Sequence, residues 1–471
     1  MTASDTASVT VFQAASSSTA RFLMLSLVAA VMAIGHSSSW SSESVDDPSS
    51  PNSSEALGYR DDLLELADRI KTLHPRPFRF ISESGFDQLV ATRVAAMAHE
   101  TTKAEFLWAF SELLSSIQCG HSRLPYFNQE DALTRPADRF PVEVRFVGER
   151  LYVLDPLVNE GPLRVGDEIS SINGRAVSAL REEVFRHISG EGMSETSKVH
   201  AFNTYATAYL TYALGFPDAY RLTRVGDEEP LALRPLTAYT PKPIFHPRDP
   251  CQGPLCYRVD PDSNAGIMTI RSFAYYGDQG KVFADFVDNA LEDITGQGRS
   301  ALLVDLRAHQ GGSGNASAYL LRRLASAPFA YFGPPTDERA SADLQVLQQP
   351  VDVGVNVPRY LVVDGNTVSS APHFAALFKE HGMGTVIGEA MGGNHSTNDG
   401  ARPQRSSAHG VAYAVARMRF DVVAPRQPMD QPVRPDHKLA YSVEDVLEGT
   451  DSMMEAVLSR IEAHEDPAQG R

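Results

Sequence analysis

Ala301-Leu-Leu-Val-Asp-Leu-Arg-Ala-His-Gln-Gly-Gly-Ser-Gly314 is the stretch that decides the fold. Its first six residues form an apolar run, the pattern of a strand buried on both faces of a sheet. A polar, glycine-rich turn follows at once. Turns of that kind sit at the C-terminal ends of strands in open α/β sheets, where ligands and chemistry gather. Outward from it the same alternation repeats. Residues 267–270 read as a strand, and 281–295 as a helix with Phe283, Phe286, Val287, Leu291 and Ile294 on one face. Helices at 315–325 and 371–381 alternate with buried strands at 360–363 and 385–387. Crossovers of this sort predict an α/β core with a mainly parallel sheet and helices packed on it.

Two turns in that core carry candidate chemistry. In 305–314 the backbone N–H groups of the turn can converge on a negative oxygen. No Lys-Ser/Thr follows the glycines, which argues against a nucleotide phosphate loop. The second turn is Asp364-Gly-Asn-Thr-Val-Ser-Ser-Ala-Pro-His373, between a strand and an amphipathic helix. Ser369 stands just ahead of Pro372 in the first helical turn, a place proline favours. There its hydroxyl would meet free N–H groups and the positive end of the helix dipole. On local pattern alone, a helix N-cap is the better reading of Ser369 or Ser370.

Upstream, 57–128 reads as a small helical domain. Leu63, Leu66, Ala67, Ile70 and Leu73 recur at helical spacing, and the helix stops before His74-Pro75. A second helix is expected at 86–98. A third opens on Thr102-Lys-Ala-Glu105, a capping box, and the domain ends in Gly120-His121-Ser122. Residues 138–245 read as a β-rich domain of short strands. Its string Leu163-Arg-Val-Gly-Asp-Glu-Ile-Ser-Ser-Ile-Asn-Gly174 resembles the middle of PDZ domains, which bind extended peptides at a sheet edge.

Composition bounds the partners. Across 471 residues the formal net charge is -17, and no basic face stands out, which argues against nucleic acid. Near the N-terminus, Arg21 precedes the apolar run 22–34 (FLMLSLVAAVMAI) and a Ser-rich stretch. Thirteen residues are short for a bilayer span and suit the core of an export signal. Residues 1–36 are therefore expected to be a signal peptide or anchor, with 37–56 a Ser-rich linker. The expected location is periplasmic or extracellular, with membrane attachment only if the segment stays uncleaved. Three cysteines are too few for a disulfide scaffold, although Cys251 and Cys256 can form one bridge. Metal ligation is not indicated by their spacing. Cys119 lies two residues from His121, poor geometry for a Cys/His dyad.

Taken in order, DLRAHQGGSG and DGNTVSSAPHFAALFKEHGMGTVIGEAMGG resemble the tail-specific (C-terminal processing) serine peptidases, a family that includes the tricorn core protease. The segment Ile117-Gln-Cys-Gly-His-Ser122 is similar to the family's G-D-G-H-T ending. Val433-Arg-Pro-Asp436, Tyr441-Ser-Val-Glu-Asp445 and Gly449-Thr-Asp451 resemble its C-terminal closure. The resemblance spans nearly all of 57–460 and implies a ClpP/crotonase-like peptidase core over 258–462. It places the nucleophile on Ser369 and oxyanion donors on Ser370 and on Gly311 or Gly312. The Lys of the Ser/Lys branch is replaced by Asn394, so that dyad is excluded. The resemblance then points to the tricorn-like branch, with His121 as general base, since a neutral imidazole can deprotonate a serine near pH 7. Ser122 is a candidate to orient the ring, and Asp430 or Glu389 to supply the acid. His373 and His395 compete as bases.

The expectation is an exported serine endopeptidase acting on unfolded proteins or peptides, with no metal or organic cofactor. The alternative is a non-catalytic peptide- or ligand-binding protein on the same fold. Joint retention of Ser369 and His121 favours the enzyme, because a binder has no chemical need for the pair. A small-ester hydrolase would need a G-x-S-x-G elbow, which is absent around Ser369.

Overall fold

The computed structural model describes residues 12–13, 53–127, 133–240, 251, 253–334, 336–337, 339 and 342–465. The apolar run 22–34, and with it the expected export segment, lies outside them. Among the described residues no helix is long and apolar enough to cross a membrane.

The expected parallel core is present. Strands Gly266–Ile270, Leu302–Asp305, Arg359–Val363, Thr385–Gly388 and His437–Lys438 pair in that order, each parallel to the next. Leu255–Val259 adds antiparallel at one side, and Phe12–Gln13 pairs antiparallel with it, so the sheet is mixed and mostly parallel. Both faces of the inner strands are buried, which is why they read as unbroken apolar runs. Helices Gln279–Gly296, Gly314–Leu324 and Ser370–Glu380 supply side chains to one core, and Ser452–Glu465 to another. Phe283, Phe286, Val287, Leu291 and Ile294 all fall on the buried side of the first of these helices. Each such side chain contributes roughly 1.5–3 kcal/mol on burial.

The N-terminal helices run Ser53–Leu73, Glu83–Ala96 and Lys103–Ser116. The last begins with the expected capping box, Thr102 and Glu105 each bonding the other's backbone. These helices share one apolar core with the sheet of residues 143–232 and with the buried stretch 411–416. In that sheet Glu168–Ile172 and Arg175–Ala176 form the expected tight hairpin, with Asn173 at φ +47° and Gly174 at φ +74°. The β-rich reading of 138–245 passed over two helices, Val177–Phe185 and Glu195–Ala213. The second starts on Ser194, whose hydroxyl accepts the Ser197 N–H, and it packs across the sheet. Between the last two core strands two further antiparallel pairs are inserted, Ser396–Asp399 with Met418–Asp421 and Arg402–Arg405 with Ala412–Val415. Cys251 and Cys256 are bridged, and Cys119 is a buried free thiol.

Candidate active site

Strand Leu302–Asp305 ends in a buried ionic knot. The Arg307 guanidinium donates to both oxygens of Asp305 (3.0 and 2.9 Å) and to Asp451 (3.0 Å), and Arg271 also reaches Asp305 at 3.1 Å. Burial works against the Asp305 charge, but the two guanidinium groups outweigh it and hold the carboxyl well below the usual range. The Asp-Leu-Arg and Gly-Thr-Asp signatures are thus one structural clamp, tying the strand end to the C-terminal segment.

Past the knot, the two turns lock together. The Ala308 N–H donates to Asp364 (3.0 Å), the Thr367 hydroxyl to the Leu306 carbonyl (2.8 Å) and the Val368 N–H to the His309 carbonyl (3.0 Å). Between them stands Ser369 at φ +62°, ψ −120°, a conformation that costs a non-glycine residue about 1–3 kcal/mol. The serine reaches no N-cap hydrogen bond, so the capping role left open by the sequence is not the one it plays. Gly311 is glycine because of it: a Cβ there would lie 2.3 Å from Ser369 Cβ and 2.7 Å from Oγ. A Cβ on Gly312 would strike the backbone of Phe273 and Ala274.

The two candidate glycine donors differ. The Gly311 N–H is held by His309 Nδ1 at 2.9 Å, whereas the Gly312 and Ser370 N–H groups have no acceptor among the described residues. Burial pushes the His309 pKa down to about 3, so it is a neutral prop for the turn.

His121 arrives from the other core. The loop after Lys103–Ser116 is pinned by three contacts. Gly192 N–H donates to the Gln118 carbonyl (2.9 Å), Arg123 and Ala414 exchange backbone bonds (3.0 and 2.9 Å), and Ala416 N–H donates to the Ser122 hydroxyl (3.0 Å). Ser122 therefore fixes the loop and not the ring. His121 Nε2 lies 3.2 Å from Ser369 Oγ. Two carboxylates flank the ring, Glu191 Oε2 3.6 Å from Nδ1 and Asp399 Oδ2 3.6 Å from Nε2. Glu191 is itself oriented by the Gly120 N–H (3.1 Å). Burial alone would lower the His121 pKa, but Asp399, Cys119 and Glu191 outweigh it and hold it well above the ordinary imidazole value.

The other sequence candidates are engaged elsewhere. Asp430 is exposed and bonds Arg79 at 2.6 Å. Glu389 pairs with His200 (3.2 Å) and accepts the Gly365 N–H. His373 bonds Thr397 (3.1 Å), and burial together with the neighbouring His395 and His121 lowers its pKa to about 3. His395 is buried, and burial lowers its pKa too. Asn394 accepts the Ser396 N–H (3.1 Å), with its amide nitrogen against Gly192. Sequence reasoning missed Glu191 and Asp399. The only local signal for Glu191 was an acid in the Gly190-Glu-Gly192 turn, and nothing in that turn names its partner.

A serine hydroxyl against an imidazole, free amides beside it and an acid behind the ring form the constellation of a nucleophilic hydrolase, set on a mostly parallel α/β core. Residues 264–438 match the model of peptidase family S41. Ser369, both glycines and Asp399 lie within the match, while His121 and Glu191 lie upstream of it. No curated protein matches the chain by sequence. Among solved structures, mature CPAF superposes with a TM-score of 0.56 at 12% identity, covering 87% of this chain and 99% of that one. A serine-to-alanine mutant of CPAF gives 0.59 at 10% identity, covering 86% and 98%. The photosystem II D1 C-terminal processing protease is similar at 16% identity over 84% and 98%, with a TM-score of 0.38, too low for residue-level comparison. At these identities the likeness is one of fold.

Proposed function

We propose that the chain is a serine endopeptidase that hydrolyses unfolded proteins or peptides through an acyl-enzyme on Ser369. The 3.2 Å approach of His121 Nε2 to Ser369 Oγ carries this reading, because the two residues lie 248 positions apart and on different cores.

In the reaction His121 Nε2 takes the hydroxyl proton as Oγ bonds to the peptide carbonyl carbon. The Gly312 and Ser370 N–H groups stabilise the resulting oxyanion. His121 then returns the proton to the leaving amine as the C–N bond breaks, and a water attacks the acyl ester with His121 again as base. Glu191, 3.6 Å from Nδ1, balances the imidazolium as it forms. The family match and the CPAF-like fold support a polypeptide substrate. The apolar run 22–34 supports export, with the mature chain acting outside the cytoplasm.

The test is labelling by a fluorophosphonate probe together with hydrolysis of an unfolded protein. Both should be lost in Ser369→Ala and His121→Ala chains that still fold. A folded wild type that neither labels nor cleaves at any pH would point to the binding protein instead.

A further inference from the structure

Behind the imidazole, on the side away from Ser369, three metal-binding side chains converge. Cys119 Sγ, His121 and a Glu191 carboxylate oxygen lie within 4.8 Å of one another. Cys119 is fully buried and the Glu191 side chain is 7% exposed. Two polar atoms of this cluster, His121 Nδ1 and Glu191 Oε1, are buried and make no hydrogen bond. A buried acceptor without a donor costs about 1–3 kcal/mol, so the pocket favours something that satisfies both atoms. The Cys119 thiol makes a long contact, 3.7 Å, to the Asn398 carbonyl.

We infer that Cys119, His121 Nδ1 and Glu191 form a site for Zn²⁺, and that its occupation switches the peptidase off; this rests on the reading of His121 as the base. Sulfur, imidazole nitrogen and carboxylate are the zinc donor set, and three protein ligands with one open position suit a four-coordinate ion. Ca²⁺ and Mg²⁺ require oxygen ligands and are disfavoured by the thiolate. The charges also balance. The thiol gives up its proton on binding, so a thiolate and a carboxylate neutralise the divalent ion inside a buried pocket.

The consequence for catalysis follows from the ring. A metal on Nδ1 takes that lone pair and leaves the remaining proton on Nε2, facing Ser369 Oγ. Nε2 then donates to the hydroxyl and cannot take its proton. The ion also takes up the Glu191 charge that would otherwise balance the imidazolium. Zinc and turnover are therefore mutually exclusive on one imidazole.

The experiment uses the full chain, stripped of metal with a chelator, alongside its Ser369→Ala, Cys119→Ser and Glu191→Gln variants. Co²⁺ serves as spectroscopic probe and Zn²⁺ is titrated in competition with a chromogenic chelator. Expected are one ion per chain and a thiolate-to-cobalt charge-transfer band in wild type and Ser369→Ala alike. Cys119→Ser should lose the band and bind Zn²⁺ at least about tenfold more weakly, since even supporting groups around a metal cost 10–100-fold. Glu191→Gln should weaken binding while keeping the band, which guards against a folding defect in the cysteine variant. Hydrolysis by wild type should fall in step with zinc occupancy and return on adding chelator. No thiolate band, or equal zinc affinity in Cys119→Ser, would overturn the site. Zinc binding by a metal-free chain that hydrolyses nothing would sustain the site and sink the peptidase reading instead.

Discussion

Ser369 is held at positive φ between two turns, and Gly311 is the residue that makes room for it. A methyl at 311 would overlap the nucleophile's own Cβ and also strain a backbone at φ +86°. Gly311→Ala should therefore cut kcat/KM by about 10²–10³, the scale of a lost oxyanion donor, because it displaces Oγ from the neighbouring amides. Hydrolysis of an unfolded protein, paired with a thermal melt to confirm folding, checks it. At His121 the pH dependence has a definite sign. Burial opposes the charge, but Asp399, Cys119 and Glu191 raise the pKa well above its ordinary value of 6.5. The base must be neutral, so with chelator present the acid limb of kcat/KM should lie above 6.5 and activity should climb on the alkaline side. Asp399→Asn removes the largest of the raising charges, so that limb should shift to lower pH. A limb unmoved by the substitution would show that Asp399 does not act on the ring.

At the level of elements, the two turns depend on a buried ionic clamp. Arg307 joins Asp305, at the end of its own strand, to Asp451 beyond the last sheet strand. Both Asp305 and the Arg307 side chain are buried, so truncating the arginine strands a carboxylate in the interior. Arg307→Ala should cost about 3–5 kcal/mol, read from urea denaturation. The linkage runs the same way. The depressed Asp305 pKa contributes stability above the unfolded carboxylate value, and that stability is lost as pH falls through the folded value. The helices and strands themselves were legible, since Thr102-Lys-Ala-Glu105 and the run 301–306 carry their signals in adjacent residues. The two helices of the middle region were not. Their neighbouring turns, Gly166-Asp and Asn173-Gly, spoke for strands, and the apolar residues of Glu195–Ala213 bury in a core shared with the N-terminal helices, which the local sequence does not announce.

Across the whole molecule, His121 and Ser369 lie on segments that pack into different hydrophobic cores, and they meet where those cores join. Arg76 and Arg79 hold that seam. Arg76 donates to Asn398 (3.0 Å) and Ser396 (2.8 Å), and Arg79 to Asp430 (2.6 Å) and the Ser396 carbonyl (2.7 Å). Arg76→Ala should leave the fold of each core in place but loosen the approach of His121 to Ser369. A displacement of about 1 Å costs on the order of 10² in rate, so kcat should fall by up to that factor with KM less affected. Fluorophosphonate labelling should slow in parallel, and unchanged labelling would show that the seam is held by other contacts.

The sequence by itself determined the alternating α/β core and the two glycine- and serine-bearing turns, because each is written in a contiguous run or a short motif; the pairing of Ser369 with His121 was expected only from the family resemblance, and the 3.2 Å contact between them is tertiary. Which carboxylates flank His121 was decided by tertiary structure alone. Asp430 and Glu389 were reasonable by position, yet Arg79 and His200 engage them, while Glu191, 70 residues beyond His121, is folded behind the ring. A carboxylate's role depends on which charge lies within a few ångströms of it, and that distance is set by how separate cores pack, not by any neighbour in the chain.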